Sequence, residues 1–330
     1  MIIFLLLTLW DYSYNLDIDF NYDSNIFAYS QSYIDDFLNY VDSYRFPFET
    51  YDDLTTSLDF GLLLRNQIFG KRITTFSFNL GSDNYLVNSQ KTNQKYGFGV
   101  RQSFGQYALK ISYEVIPGYL IRYYRNPLGT STEYIGCEAT YHTIAAKASF
   151  ETIENIKLSA GYGHRWDNYI QEFNQYDANG HIIFFGFDKQ LRKNLDFGFN
   201  YTFLSSQNDS ADIVSSGTEL TPDGSFYQHS LNGDFSLRVN AILPTTIGLS
   251  YDYSYRSYST SSAEDSLHFG RRDHRHIINL NTSSRILTGI QLRFLFTWQW
   301  RNATSEILPD IDEIKDYTKY KAGVGLEFYF

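Results

Sequence analysis

Apolar and polar residues alternate with period two along four long stretches of the chain. In 195–204, Leu195, Phe197, Phe199, Tyr201 and Phe203 alternate with Asp196, Gly198, Asn200 and Thr202. In 246–256, Ile247, Leu249, Tyr251, Tyr253 and Tyr255 alternate with Gly248, Ser250, Asp252, Ser254 and Arg256. In 290–301, Ile290, Leu292, Phe294, Phe296, Trp298 and Trp300 alternate with Gln291, Arg293, Thr297, Gln299 and Arg301, and 319–330 continues in the same way to Phe328 and Phe330. An α-helix brings residues three and four apart onto one face and cannot sort a sequence like this; a strand, whose side chains point alternately to opposite faces, does. The same reading predicts fourteen strands, at 12–22, 54–66, 71–82, 95–103, 106–116, 133–151, 156–166, 179–188, 195–206, 226–240, 245–256, 273–284, 289–301 and 317–330. Short links, such as 67–70, 104–105 and 285–288, take turns with long ones, such as 23–53, 117–132, 207–225 and 302–316.

A soluble β-sandwich also buries one strand face, so alternation alone leaves two architectures open. Three features favour a transmembrane antiparallel up-and-down barrel of about 14 strands. The clearest strands, about 10 to 13 residues long, match a tilted bilayer crossing. Loop lengths segregate to the two ends, as in a barrel meander. On the apolar face Tyr201, Phe203, Tyr227, Tyr253, Tyr255, Trp298, Trp300 and Tyr320 gather toward the long-loop end, and Phe328 and Phe330 toward the other. Two such girdles suit two membrane–water interfaces. Closure leaves no sheet edge, which a lipid phase without hydrogen-bonding partners demands.

Composition removes other classes. Twenty-seven Phe, 29 Tyr and four Trp stand against one Met and one Cys, so neither a disulfide framework nor a cysteine-based metal cluster can form. The formal charge of −10 argues against nucleic acid as a partner. No apolar run reaches the roughly 18 to 20 residues of a membrane helix. Residues 1–10 read either as a residual signal-peptide segment or as the apolar beginning of the first structural segment, and 11–330 as a single barrel domain.

The chain's last six residues, Gly325-Leu326-Glu327-Phe328-Tyr329-Phe330, resemble the C-terminal assembly signal of bacterial outer-membrane β-barrel proteins, with Gly325, Phe328 and Phe330 carrying the resemblance. It implies a porin-like barrel in the outer membrane of a Gram-negative-type bacterium, with short turns periplasmic and long loops extracellular. It also implies insertion by the barrel-assembly machinery, contact with outer-membrane lipid and lipopolysaccharide, and no cofactor. Asn21-Tyr22-Asp23-Ser24-Asn25 is similar to an opening segment of some export-related outer-membrane barrels.

The polar face supplies the candidate functional residues. Arg101, Lys110, Glu114, Arg165, Asp196, Asp234, Arg238, Asp252, Arg256, Arg293, Arg301, Lys321 and Glu327 would line the lumen. They could border a passive pore that screens small polar solutes by size and charge, or pair across strands and plug it. The long loops are acidic: 23–52 holds six acids against Arg45, 207–225 four against none, and 302–316 five against Lys315. These loops support the alternative, a non-conducting structural, adhesion or export-associated barrel. Arg271, Arg272 and Arg275 form a basic cluster that could clamp lipid phosphates at the headgroup level or simply snorkel to the interface. His274 and His276 share a face but lack a third ligand, so no metal site is assigned. Tyr227–Gly233 superficially resembles the His/Ser/Asn segment of the outer-membrane phospholipases. That chemistry needs His and Ser on one face, whereas His229 and Ser230 are adjacent and fall on opposite faces, so no enzymatic role is assigned.

Overall fold

The computed structural model describes residues 10–129, 132–152, 154–209, 223–240 and 242–330. The segment 1–9 and most of the acidic link 207–225 lie outside them. Fourteen strands form: β1 (Asp11–Asp23), β2 (Asp53–Phe69), β3 (Arg72–Tyr85), β4 (Asn93–Phe104), β5 (Tyr107–Arg125), β6 (Tyr134–Glu151), β7 (Ile156–Tyr169), β8 (Ala178–Arg192), β9 (Leu195–Asn208), β10 (Phe226–Asn240), β11 (Pro244–Tyr258), β12 (Arg272–Leu287), β13 (Ile290–Thr304) and β14 (Tyr317–Tyr329). Each pairs antiparallel with its sequence neighbours, and β1 closes on β14 from Asn15↔Tyr329 to Asp23↔Lys321, so the sheet is a closed up-and-down barrel.

Every strand read from the alternation is present, and the register assigns its faces. Phe294 pairs with Val324 and Leu249 with Leu280, and all four point outward and are exposed. Between them runs an apolar surface that includes Phe20, Leu58, Phe98, Ile111, Phe185 and Phe235. A monomer in water rarely exposes so large a continuous apolar area. At one rim Phe203 stacks on Tyr227 at 6.2 Å and Trp298 lies 4.8 Å from Trp300; at the other Tyr14 stacks on Phe330 at 4.8 Å.

The largest departure from the sequence reading concerns β5, which extends to Arg125. The register slips between Ile116 and Tyr119, where Pro117 cannot donate to the ladder and Gly118 takes a φ of +53°. The shift breaks the period-two pattern and hides the upper half of the strand in what reads as a loop.

The buried core lies at the long-loop end, inside the barrel. The link after β1 folds inward, carrying helix α1 (Gln31–Leu38), whose N-cap Ser30 accepts a hydrogen bond from the Tyr33 amide. Ile26, Phe27, Tyr29, Phe46 and Phe48 pack with Leu120 of β5, flanked by Tyr85 and Tyr123. A second short helix, α2 (Ile311–Lys315), buries Ile311 and rests on β13, and the two helices touch.

Candidate functional site: the barrel lumen

Register places all the expected lining residues on the inner wall. Arg101 pairs with Lys110, Glu114 with Gly97, Arg165 with Thr143, and Asp234 with Gly198. Arg238 pairs with Thr246, Asp252 with Asn232, and Arg256 with Gln228; Arg293 pairs with Gly325, Arg301 with Arg275, Lys321 with Thr297, and Glu327 with Gln291. Many of the charges are matched: Arg238 reaches Asp196 at 2.7 Å, Lys95 reaches Glu114 at 2.8 Å, Arg165 reaches Asp167 at 2.5 Å and Arg293 reaches Asp17 at 3.0 Å. Asp252 accepts hydrogen bonds from Asn232 at 2.7 Å and Asn279 at 3.3 Å. Arg101 and Lys110 are exposed to the lumen, and Lys147, the next residue across, adds a third positive charge to that row. Like charges opposed in a ladder are destabilising, and the exposure of Arg101 and Lys110 lets solvent screen them.

Carboxylates lie flat against the wall where the neighbouring strand offers a glycine. A Cβ at Gly325 would collide with the Asp19 carboxylate, and one at Gly198 with that of Asp234. Gly325, read from sequence as part of the assembly signal, thus also makes room on the inner face. Between the β1–β3 wall, with Asp19, Asp59 and Asp83, and the β12–β14 wall, with Asn279, Thr297 and Lys321, lies a cavity of about 310 Å³. Another of about 310 Å³ sits toward the short turns among Lys157, Asp188, Asp196 and Asp234.

The mouth at the long-loop end is narrowed by the inward loop and held by cations. Arg122 of β5 donates from Nε to the Phe27 carbonyl at 2.7 Å and from a terminal nitrogen to the Ala28 carbonyl. Lys91, nearly fully buried, donates to the carbonyls of Leu120 and Ile121 and sits 4.7 Å from the Tyr119 ring centroid. Lys319 ties the start of the loop through Asp23 at 2.8 Å. Burial, reinforced by the charges of Lys319 and Arg122, lowers the Lys91 ammonium to about 7. Neither Arg122 nor Lys91 stood out in the sequence, because both fall in stretches that read as links.

Of the three arginines assigned to the headgroup level, one points outward. Arg271 is buried and grips Asp273 with two hydrogen bonds of 2.8 and 2.6 Å; Arg275 falls on the inner wall; Arg272 faces out, 3.4 Å from Glu306. The outer face at this end carries histidines instead. Tyr hydroxyls lie 2.6 to 2.8 Å from the Nδ1 atoms of His142, His181, His229, His274 and His276. His229 therefore faces outward beside Tyr201, whereas Ser230 accepts a hydrogen bond from Gln228 on the inner face. The two side chains cannot form a nucleophile–base pair.

No protein-family model matches the chain, and no curated protein matches it in sequence. Solved structures do. The outer membrane channel DcaP of Acinetobacter baumannii is similar over 97% of both chains, with 10% identity and a TM-score of 0.53. The anion-selective porin from Comamonas acidovorans is similar over 97% of this chain and 99% of its own, at 9% identity and a TM-score of 0.49. The outer membrane protein opdK from Pseudomonas aeruginosa is similar over 97% and 99%, at 11% identity and a TM-score of 0.44. The fold is that of the bacterial outer-membrane β-barrel proteins. At these identities the likeness is one of fold, and it singles out no subfamily.

Proposed function

We propose that the protein is a porin-like passive channel of the outer membrane, carrying small polar solutes through a charged lumen and catalysing no reaction. The observation that carries this reading is the inner wall. Ionised side chains from most strands face a water-accessible interior that holds two cavities of about 310 Å³ each. Charged groups in an apolar sheath are tolerated where water reaches them. In this reading the long loops face the cell exterior and lipopolysaccharide, and the barrel-assembly machinery inserts the chain through its C-terminal strand.

The packed first loop favours a second reading, a closed barrel acting through its acidic loops. Proteoliposome swelling separates the two. A channel admits small sugars and amino acids and excludes larger oligosaccharides, whereas a closed barrel leaves all solutes outside. Deleting 31–46 should raise the size cut-off of a channel whose mouth that loop narrows.

A further inference from the structure

Many lumenal ions are matched; apart from the Arg101–Lys110–Lys147 row, a second group of cations, at the long-loop end, is not. Arg275 and Arg301 are directly opposed on β12 and β13, both on the inner wall. Arg275 is exposed to the lumen, with no acid among the described residues within ion-pair distance. Arg301 donates to the backbone carbonyl of Lys315 at 2.7 Å and lies 4.8 Å from the Tyr317 ring centroid, so its charge meets a dipole and a π face but, among the described residues, no carboxylate within pairing distance. Lys315, on α2, senses Arg271, Arg122 and Arg301, all of like sign. Arg122 comes from the opposite wall and spends its hydrogen bonds on two carbonyls.

Three of the acids nearby are already engaged. Asp273 is held by Arg271, Asp252 accepts from two asparagines, and Asp316 accepts from the Ala303 amide at 2.6 Å. Burial first, and then the three arginines, outweigh the opposing charge of Asp273 and lower the Lys315 ammonium to about 7.

We propose that Arg275, Arg301 and Lys315, with Arg122 reaching toward them, form a binding site for small oxyanions and halides inside the mouth and make the channel anion-selective. This rests on the channel reading. Arginine forks suit carboxylate and phosphate oxygens, and a cationic ring in a narrow lumen excludes cations by its potential. Within loop 302–316, Asp316 is in electrostatic reach of Arg301 and offsets part of the excess, while the exposed acids of the other loops are screened by salt.

The test is the reversal potential of the bilayer-inserted full chain in a KCl gradient, together with calorimetric titration of inorganic phosphate into the detergent-folded barrel. The expected result is a chloride-directed potential that shifts toward zero in Arg275→Gln and further in Arg275→Gln/Arg301→Gln, with phosphate binding weakened in parallel. Arg272→Gln, on the outer face, should leave both unchanged. Heat-modifiable gel mobility verifies that each variant is folded. A potassium-directed potential, or one that the double variant leaves unmoved, overturns the anion site while the channel stands. A folded but silent barrel that binds phosphate through these arginines keeps the site and overturns the channel, and one that binds none overturns both.

Discussion

Leu249 and Phe294 sit midway along β11 and β13 with their side chains outward, and Ser250, one residue on, faces the lumen beside Asn279. A basic residue at the middle of an apolar bilayer costs about 2 to 4 kcal/mol. Leu249→Arg and Phe294→Arg should therefore reduce the folded, heat-modifiable fraction, and Ser250→Arg should not. Gly161 makes a sharper case: a Cβ there would run into the backbone carbonyl of Ala146, which cannot swing aside as a side chain can. Gly161→Ala should cost about 1 to 3 kcal/mol, read from the urea midpoint of the detergent-folded barrel. The inward place of Arg275 was already written in the strand: His274, His276, Ile278 and Leu280 take the outward positions of β12 and leave the odd numbers to the lumen.

At the scale of elements, strands and the inward loop differ in how far local sequence reveals them. A strand with lipid on one side and water on the other must alternate, so all fourteen strands are legible, and facing is clearest in the four segments of clean alternation, while β5 beyond its register shift is lost. The inward loop obeys no such period. Ile26, Phe27, Phe46 and Phe48 find their partners on Leu120, Tyr85 and Tyr123, far away in sequence, and the acids among them make the stretch read as solvated surface. Phe27, 2% exposed, is the centre of that packing. Phe27→Ala removes about 3 to 5 kcal/mol of it and should free the loop to limited proteolysis within 31–46 while the barrel stays folded.

The loop's docking should also depend on pH. Lys91 titrates near 7 when docked and moves up toward its ordinary 10.5 as release of the loop readmits water. Between these values the released state binds more protons, so docking strengthens as pH rises from about 7 toward 10 and is constant below that window. Proteolytic protection of 31–46 should accordingly be greater at pH 9 than at pH 7. Lys91→Met should weaken the dependence, leaving the share that Lys315 contributes from α2.

The whole molecule joins an apolar outer belt to a charged interior, and each explains the other. Fourteen closed strands satisfy the backbone without water, which frees the outer face for lipid and confines ions to the inside. The central claim is that this interior conducts, and planar-bilayer recording of the detergent-refolded chain, with strand content checked by circular dichroism, tests it most directly. The account predicts stable unitary steps whose size grows when Phe27→Ala or deletion of 31–46 loosens the mouth. A fully folded barrel that stays electrically silent, with the loop and without it, would contradict it.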